Sequence, residues 1–479
     1  LLSSVTAPRQ RAKYVDQARS ISRETNLNRH IFREFSIRGI ADQDLPNEIV
    51  IRIGQAIGTF FRQRDGQTLV VGQDVRNSSP RISRSLVAGL METGLHVIDV
   101  GVVPTPIHNF ATDFYAADGG VMVTASHNPA EYNGFKIRTD RSLRGSELRE
   151  IYHIATEKYP QDSEAQPLDQ SKLTQEIPVP HYLECVKTHA RIPTSLRVVV
   201  DGGNGTNGLI VTQLLRDLGC DVVELFCKPD GDFPNRNPDP TAPGATSDLS
   251  ALVRAKAADL GIAYDADGDR LVMVDEQGSP VWGDQMIMLL ARAVLRHGPA
   301  KVVYEILCTQ ALADDVIAHG GEPVMTPNGY AFVHQAMHET GAPVGGEFSG
   351  HLFFNEPDFR FDDPILASVK LLNILSQSGR SLSTLMAELP AYFSSPQIRL
   401  PCPDEIKAKV VEQVKDYFAV SYPVDELDGA RIDFGDGWAL VRPSNTQPAL
   451  SLRFEAKSEE RLEQLKTQVL NLVEDRLSQ

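Results

Sequence analysis

The sequence predicts an α/β protein: three related mixed-sheet α/β domains followed by a smaller C-terminal α+β domain. Three observations predict it. An apolar strand, a helical stretch and a second apolar strand recur three times along the chain. The strands in these units are apolar on both faces, which suits sheets covered by helices on both sides. Finally, 479 residues are too many for one ordinary core, and length alone points to about three or four domains.

Each element follows from its own pattern. Leu1 to Asn28 is polar and lacks the apolar centre of a signal peptide, so residues 1–28 read as an N-terminal extension. The chain opens on Leu rather than Met, which leaves an upstream segment open. In domain 1, residues 29–175, Thr68-Leu-Val-Val-Gly is a strand, a helix runs to Glu92, and Thr93-Gly-Leu-His-Val-Ile-Asp-Val-Gly starts another strand. Domain 2, residues 176–280, repeats this with Arg197-Val-Val-Val-Asp, a helix ending Leu214-Leu-Arg-Asp-Leu-Gly, and Cys220-Asp-Val-Val-Glu-Leu-Phe. Domain 3, residues 281–390, does so with Lys301-Val-Val-Tyr-Glu-Ile-Leu, the helix from Ala311, and Glu322-Pro-Val-Met. The charged, Pro-containing stretch Tyr159–Ile177 reads as a connector between the first two domains. From about 391 the pattern changes: helices near Asp404–Phe418 and Lys457–Leu477 flank strands at Arg431–Phe434, Trp438–Arg442 and Ala449–Glu455, which makes 391–479 the α+β domain.

Composition narrows the function. A formal charge of −16 argues against general affinity for nucleic acid or an anionic membrane. No run of about 18 apolar residues exists to span a bilayer. Five cysteines lie scattered without metal-ligand pairing, and that odd count suits reduced thiols in a cytosol. Asn77-Ser-Ser and Asn204-Gly-Thr match glycosylation sequons, but no secretion signal accompanies them.

Four motifs carry chemistry. Residues 123–136, Val-Thr-Ala-Ser-His-Asn-Pro-Ala-Glu-Tyr-Asn-Gly-Phe-Lys, put a hydroxyl, an imidazole, carboxamides and an ammonium on what reads as an exposed loop. Ser126 follows the apolar run Gly120-Val-Met-Val-Thr, so a buried strand presents it at its carboxyl end, where open α/β sheets bind ligands. Such a serine serves as a nucleophile or a phosphoryl carrier; a polar turn capping a helix would read much the same. The second motif, Asp265-Ala-Asp-Gly-Asp-Arg270, sets three carboxylates within five residues. Their mutual repulsion is costly unless a cation sits among them. A calcium helix-loop-helix also begins Asp-x-Asp-x-Asp, but Arg270 stands where it needs glycine, and the flanks Leu260-Gly-Ile-Ala-Tyr and Leu271-Val-Met-Val read as strands. Hard oxygens with room for substrate favour Mg²⁺, leaving Arg270 free to face phosphate.

The third motif, Gly345-Gly-Glu-Phe-Ser-Gly-His351, offers Glu347, Ser349 and His351 as acceptors and donors suited to a polyol; a Gly-rich turn with a capping serine would look alike. The fourth, Arg442-Pro-Ser-Asn-Thr446, with Arg453 on the next strand, gathers hydroxyl, amide and guanidinium donors of the kind that grip a dianion, and equally fits a structural turn.

Taken together and in this order, the four motifs resemble the α-D-phosphohexomutase superfamily, and within it the bacterial phosphomannomutase/phosphoglucomutase group. The likeness runs from about Phe32 to the C-terminus, and Phe32-Arg-Glu-Phe-Ser-Ile-Arg-Gly39 is similar to the family's opening signature. The resemblance implies four domains around a central cleft, each giving one loop. It implies a phosphorylated Ser126 touched by Arg38; one Mg²⁺ per chain on Ser126, Asp265, Asp267 and Asp269; Glu347 and Ser349 on sugar hydroxyls; and Arg442, Ser444, Asn445 and Thr446 on the distal phosphate. Hexose 6-phosphate and hexose 1-phosphate would interconvert through a hexose 1,6-bisphosphate, supplying precursors for surface polysaccharide. Lys136, His127 and His351 are the candidates for moving protons. The implied partners are small hexose phosphates, with no nucleic acid and no membrane, and the implied state is a cytoplasmic monomer.

The chain also departs from the family pattern. Ser36 stands where relatives commonly have Asp, Leu307 where a Lys often contacts sugar, and Tyr330 where a His usually reaches substrate. Phe348 fits the mannose/glucose enzymes better than the Gln common in phosphoglucosamine mutases. A phosphoglucosamine mutase and a non-catalytic sugar-phosphate sensor are the alternatives to a mannose/glucose mutase.

Overall fold

The computed structural model describes residues 27–157, 169–444 and 448–478. The chain forms two compact units: the described residues up to Ala190 with Val198–Leu249 and Ile262–Asp269, and a second of Arg191–Arg197, Ser250–Gly261 and the residues from Arg270 on.

In the first unit, strands β1 (Ile37–Ile40), β2 (Thr68–Gln73), β3 (His96–Val102), β4 (Gly119–Val123), β5 (Tyr132–Arg138) and β6 (Leu173–Gln175) make one sheet in the order β1-β5-β4-β2-β3-β6. β4, β2, β3 and β6 run parallel, while β5 runs against both β4 and β1. Leu69, Val71, Val121 and Val123 of the central strands are fully buried, as their two-sided apolarity requires. The helix Asn47–Arg62 turns Ile49, Val50, Ile53, Ala56, Ile57, Phe60 and Phe61 to this core at helical spacing. It packs so tightly on the helix Ser79–Glu92 that a Cβ on Gly89 would lie 2.2 Å from Ile51 O. Strands β7 (Arg197–Asp201), β8 (Asp221–Leu225) and β9 (Leu260–Tyr264) lie side by side in the order β9-β7-β8. The expected connector is partly sheet, because Leu173–Gln175 pairs with β3; its residues 159–168, like residues 1–26 of the N-terminal extension, lie outside the described residues.

From Arg270 on, the second unit carries first the antiparallel pair β10 (Leu271–Asp275) and β11 (Pro280–Val281). Strands β12 (Lys301–Glu305), β13 (Glu322–Thr326), β14 (Val344–Gly346) and β15 (Leu352–Phe354) form a mixed sheet in the order β13-β12-β14-β15. The last sheet takes β16 (Phe393–Ser394), β17 (Ile398–Pro401), β18 (Val424–Asp425), β19 (Ala430–Asp433), β20 (Gly437–Pro443) and β21 (Ala449–Ala456), all paired antiparallel. The helices Asp404–Ala419 and Glu459–Leu477 bury Val410, Val414, Phe418, Leu465, Val469 and Val473 against it. This is the expected architecture of mixed α/β sheets followed by an α+β segment.

Candidate functional site

Ser126 stands in the connection between β4 and β5, with φ +50° and only 2% exposure. The expected exposed loop is thus buried at its serine, where Arg76 draws the carbonyls of Ser126 and Asn128 inward, while Pro129 and Glu131 beyond it are exposed, and β5 begins as early as Tyr132. Lys136 lies on that strand, opposite Met122. Arg38 on β1 faces Gly134 in register and donates from Nη1 to Asn128 Oδ1 at 3.0 Å. Ser126 Oγ is 3.1 Å from His127 Nδ1 and donates to Asp265 Oδ2 at 3.1 Å.

Asp265, Asp267 and Asp269 occupy the turn after β9, all at most 2% exposed, and one oxygen from each lies within 4.8 Å of the others. The flanks are the strands β9 and β10, so a calcium helix-loop-helix is excluded. Part of the expected repulsion is met by the protein itself. Lys136 Nζ donates to Asp267 Oδ2 at 2.6 Å and to Asp269 Oδ2. Thr105 Oγ1 donates to Asp267 Oδ2 at 2.8 Å, and Asp269 N to Asp265 Oδ1 at 3.0 Å. Burial opposes ionisation of Asp267, but the Lys136 ammonium and the hydrogen bonds from Lys136 and Thr105 outweigh it and hold the carboxyl well below its ordinary value. Asp267 Oδ1 is buried with no hydrogen-bond partner. An anionic oxygen buried without a donor, beside two more carboxylates and a hydroxyl, fits a small hard cation. Thr105 escaped the sequence reading, although its position after Val103-Pro104 at a helix start beyond β3 was a signal.

In the second unit the turn from β14 to β15 holds Glu347, Ser349 and His351. Glu347 Oε1 accepts from Gly329 N and Oε2 from Ser349 Oγ, both at 3.0 Å, so these two side chains of the loop also bind each other. Arg270 is not left free: its Nε donates to His351 Nε2 at 2.9 Å, while His351 Nδ1 is 2.7 Å from Asp362 Oδ2. With Nε2 accepting, the imidazole proton sits on Nδ1 and points to Asp362. The Tyr330 ring stacks on His351 at 5.6 Å. Glu305, unnoticed in the sequence, is fully buried and accepts from Leu307 N (2.7 Å), Phe348 N (3.1 Å) and Asn328 Nδ2 (3.3 Å). One carboxyl thus ties together the three loops bearing Leu307, Tyr330 and Phe348. Burial, with Glu347 nearby, pushes it up to about 7.

Arg442 is 3% exposed; its Nε donates to Asp428 Oδ2 at 2.7 Å, and its Nη2 is buried without a partner. Asp428 Oδ2 also accepts from Asn328 N at 2.9 Å, joining the two loops. Lys407 Nζ, another residue sequence reasoning missed, donates to Ser444 O at 2.7 Å. Asn445 and Thr446 lie outside the described residues. Arg453 has structural partners: its guanidinium donates to Leu307 O, lies 3.6 Å from Asp284 and stacks 3.7 Å over Phe348. Leu307 itself joins Ile306, Trp438 and Leu440 in an apolar cluster. Among the described residues no helix is long and apolar enough to cross a membrane.

Comparison with known proteins gives these loops a common context. Models of the phosphoglucomutase/phosphomannomutase family match in order: alpha/beta/alpha domain I over residues 29–162, domain II over 179–278, domain III over 282–393 and the C-terminal domain over 398–472. A phosphomannomutase/phosphoglucomutase of Pseudomonas aeruginosa is 38% identical, covering 94% of this chain and 96% of its own. A phosphoglucomutase/phosphomannomutase of Thermococcus kodakarensis is 36% identical, covering 93% and 99%. The crystal structure of a Burkholderia thailandensis phosphoglucomutase/phosphomannomutase family protein superposes with a TM-score of 0.84 at 34% identity, covering 94% of this chain and 98% of that one. The chain therefore belongs to the phosphoglucomutase/phosphomannomutase family and is an enzyme that interconverts hexose phosphates.

Proposed function

We propose that Ser126 carries the phosphoryl group this enzyme moves, that Asp265, Asp267 and Asp269 hold one Mg²⁺ beside it, and that the substrates are mannose and glucose phosphates. The observation that carries the reading is the 3.1 Å hydrogen bond from Ser126 Oγ to Asp265 Oδ2, which sets a hydroxyl at the edge of a buried acidic cluster. When bound, Mg²⁺ supplies neutralising charge to the phosphoryl oxygens.

In this reading the free hydroxyl of a hexose 1- or 6-phosphate attacks the phosphorus on Ser126 Oγ. The P–Oγ bond breaks, and a hexose 1,6-bisphosphate forms; after the sugar reorients, Oγ attacks the opposite phosphate and the other isomer leaves. His127 Nδ1, 3.1 Å from Oγ, is placed to hold a proton in these exchanges. His351, with Nε2 accepting from Arg270, serves as a brace for that guanidinium. Within the second unit, Glu347 with Ser349 would take sugar hydroxyls, and Arg442 and Ser444, with Asn445 and Thr446 next in sequence, would form a phosphate clamp. The orphaned donor at Arg442 Nη2 supports the clamp. All five cysteines are free thiols, which fits the cytosol; a monomeric state is read from the resemblance and is checked by sedimentation.

Intact mass tests the core of the reading. Wild type incubated with glucose 1,6-bisphosphate should gain about 80 Da, the mass of a phosphoryl group, and Ser126→Ala should gain nothing. Coupled assays on mannose, glucose and glucosamine 1-phosphates rank the sugars; faster turnover of the glucosamine substrate would replace this assignment with phosphoglucosamine mutase. A wild type that binds sugar phosphate but neither takes up the group nor turns over would be a sensor.

A further inference from the structure

Arg76 is completely buried, and its guanidinium is given over to the loop that holds Ser126. Nε donates to Asp74 Oδ2 at 3.0 Å. Nη1 donates to Pro129 O at 2.5 Å and Tyr132 O at 3.2 Å, and Nη2 to Ser126 O at 2.6 Å and Asn128 O at 2.7 Å. Guanidinium has five N–H donors in a rigid plane, and this arrangement uses the whole set. Asp74 is buried as well, accepting from Arg76 N (3.0 Å), Ser79 Oγ and Thr124 Oγ1 (2.8 Å). Thr124 Oγ1 in turn accepts from Ser126 N at 2.8 Å.

Ser126 is thus pinned on both sides, its N–H through Thr124 and its carbonyl through Arg76, across a φ of +50°. A residue with a Cβ enters that left-handed region at a cost and stays there only where its surroundings over-determine it. An extended Ser126 would swing its hydroxyl away from Asp265. A buried ion pair is a poor source of net stability, so geometry is the better account of why this one is here.

We infer that Asp74 and Arg76 are positioning residues: through Thr124 and the loop carbonyls they hold Ser126 in the left-handed conformation that aims its Oγ at the acidic cluster. The inference rests on the reading of Ser126 as phosphoryl carrier. Neither residue touches the reacting atoms. Lysine cannot replace Arg76, since a tetrahedral ammonium with three donors cannot span four carbonyls and a carboxylate.

The test compares wild type with Ser126→Ala, Arg76→Lys, Thr124→Val and Thr124→Ser, each checked for folding by circular dichroism. Three quantities are read: the rate at which glucose 1,6-bisphosphate phosphorylates the chain by intact mass, and kcat and KM for glucose 1-phosphate with Mg²⁺. Arg76→Lys and Thr124→Val should fold, lose about 10²-fold in both rate and kcat, and keep KM within about twofold, as a misplaced nucleophile predicts. Thr124→Ser, which retains the hydroxyl, should recover most of the rate, and the Arg76→Lys/Thr124→Val pair should lose less than the product of the single losses. Wild-type kinetics in Arg76→Lys, a loss carried by KM, or unfolding of both Arg76→Lys and Thr124→Val would overturn the inference. A wild type that takes up no mass at Ser126 instead overturns the carrier assignment itself.

Discussion

Lys136 stands where a divalent cation would also act, between the carboxylates of Asp267 and Asp269. Removing it leaves buried negative charge uncompensated, which typically costs about 3 kcal/mol. Lys136→Met should therefore melt well below wild type without metal, and added Mg²⁺ should raise its Tm more than it raises that of wild type. Equal shifts on a thermal-melt titration would place the cation elsewhere. At Arg442 the expectation concerns binding. Its Nη2 is buried without a partner, so under the proposed clamp Arg442→Ala should raise KM by about tenfold or more and change kcat less, because a distal grip would serve ground and transition states alike. Steady-state kinetics decide: a loss confined to kcat would mean that Arg442 acts at the reacting phosphate. Ser126 and the three aspartates were legible in the sequence because their chemistry is packed into short runs. Arg76, Asp74 and Glu305 were not, since each looks like an ordinary polar residue at the end of a strand until the fold shows what it holds.

Helix ends and strand ends set where these side chains stand. Asp363 caps the helix Pro364–Ser378, its Oδ1 accepting from Ile365 N (3.0 Å) and Leu366 N (2.9 Å), with Pro364 in the first turn. Asp362, the partner of His351, precedes it, so the cap also fixes the brace behind Arg270. Asp363→Ala should destabilise the protein by about 1 to 2 kcal/mol, read by denaturant unfolding, whereas Asp363→Asn should lose much less. Equal losses would show that the charge, not the cap, matters. The elements themselves were readable, because apolar runs of strand length alternate with helical spacing. Two segments were misjudged. Residues 132–136 read as loop because their polar side chains hide a strand paired on both sides, and 173–175 read as linker because three residues carry too little pattern to betray an edge strand.

Across the whole molecule two buried groups oppose each other in the same pH range. Burial, with Arg138 nearby, pushes His108 down to about 4, so it stays neutral in the fold while the unfolded chain protonates near 6.5; stability is full above pH 6.5 and falls as pH drops towards 4. The loss is on the order of 3 kcal/mol. Glu305, pushed up to about 7, keeps its proton in the fold where the unfolded chain releases it near 4.5; stability is full below pH 4.5 and falls as pH rises to 7. The two slopes have opposite sign and partly cancel in wild type. Glu305→Gln should therefore steepen the loss of stability below pH 6.5, and His108→Gln should expose a decline between pH 4.5 and 7, both read from Tm against pH. Parallel curves for all three proteins would refute the assignment. The order of strands and helices, the separate motifs around Ser126 and around Asp265–Asp269, and the family likeness were legible in the sequence alone, because periodicity and short-range motifs are local properties; the contact that joins Ser126 to Asp265 was not. Burial of Ser126, the Lys136 bridge, the commitment of Arg270 and Arg453 to protein partners, and the hold of Arg76 on a loop fifty residues away were decided by tertiary structure. Hydrogen-bond donors and charges take their partners from whatever packing brings within reach, and linear spacing does not encode that.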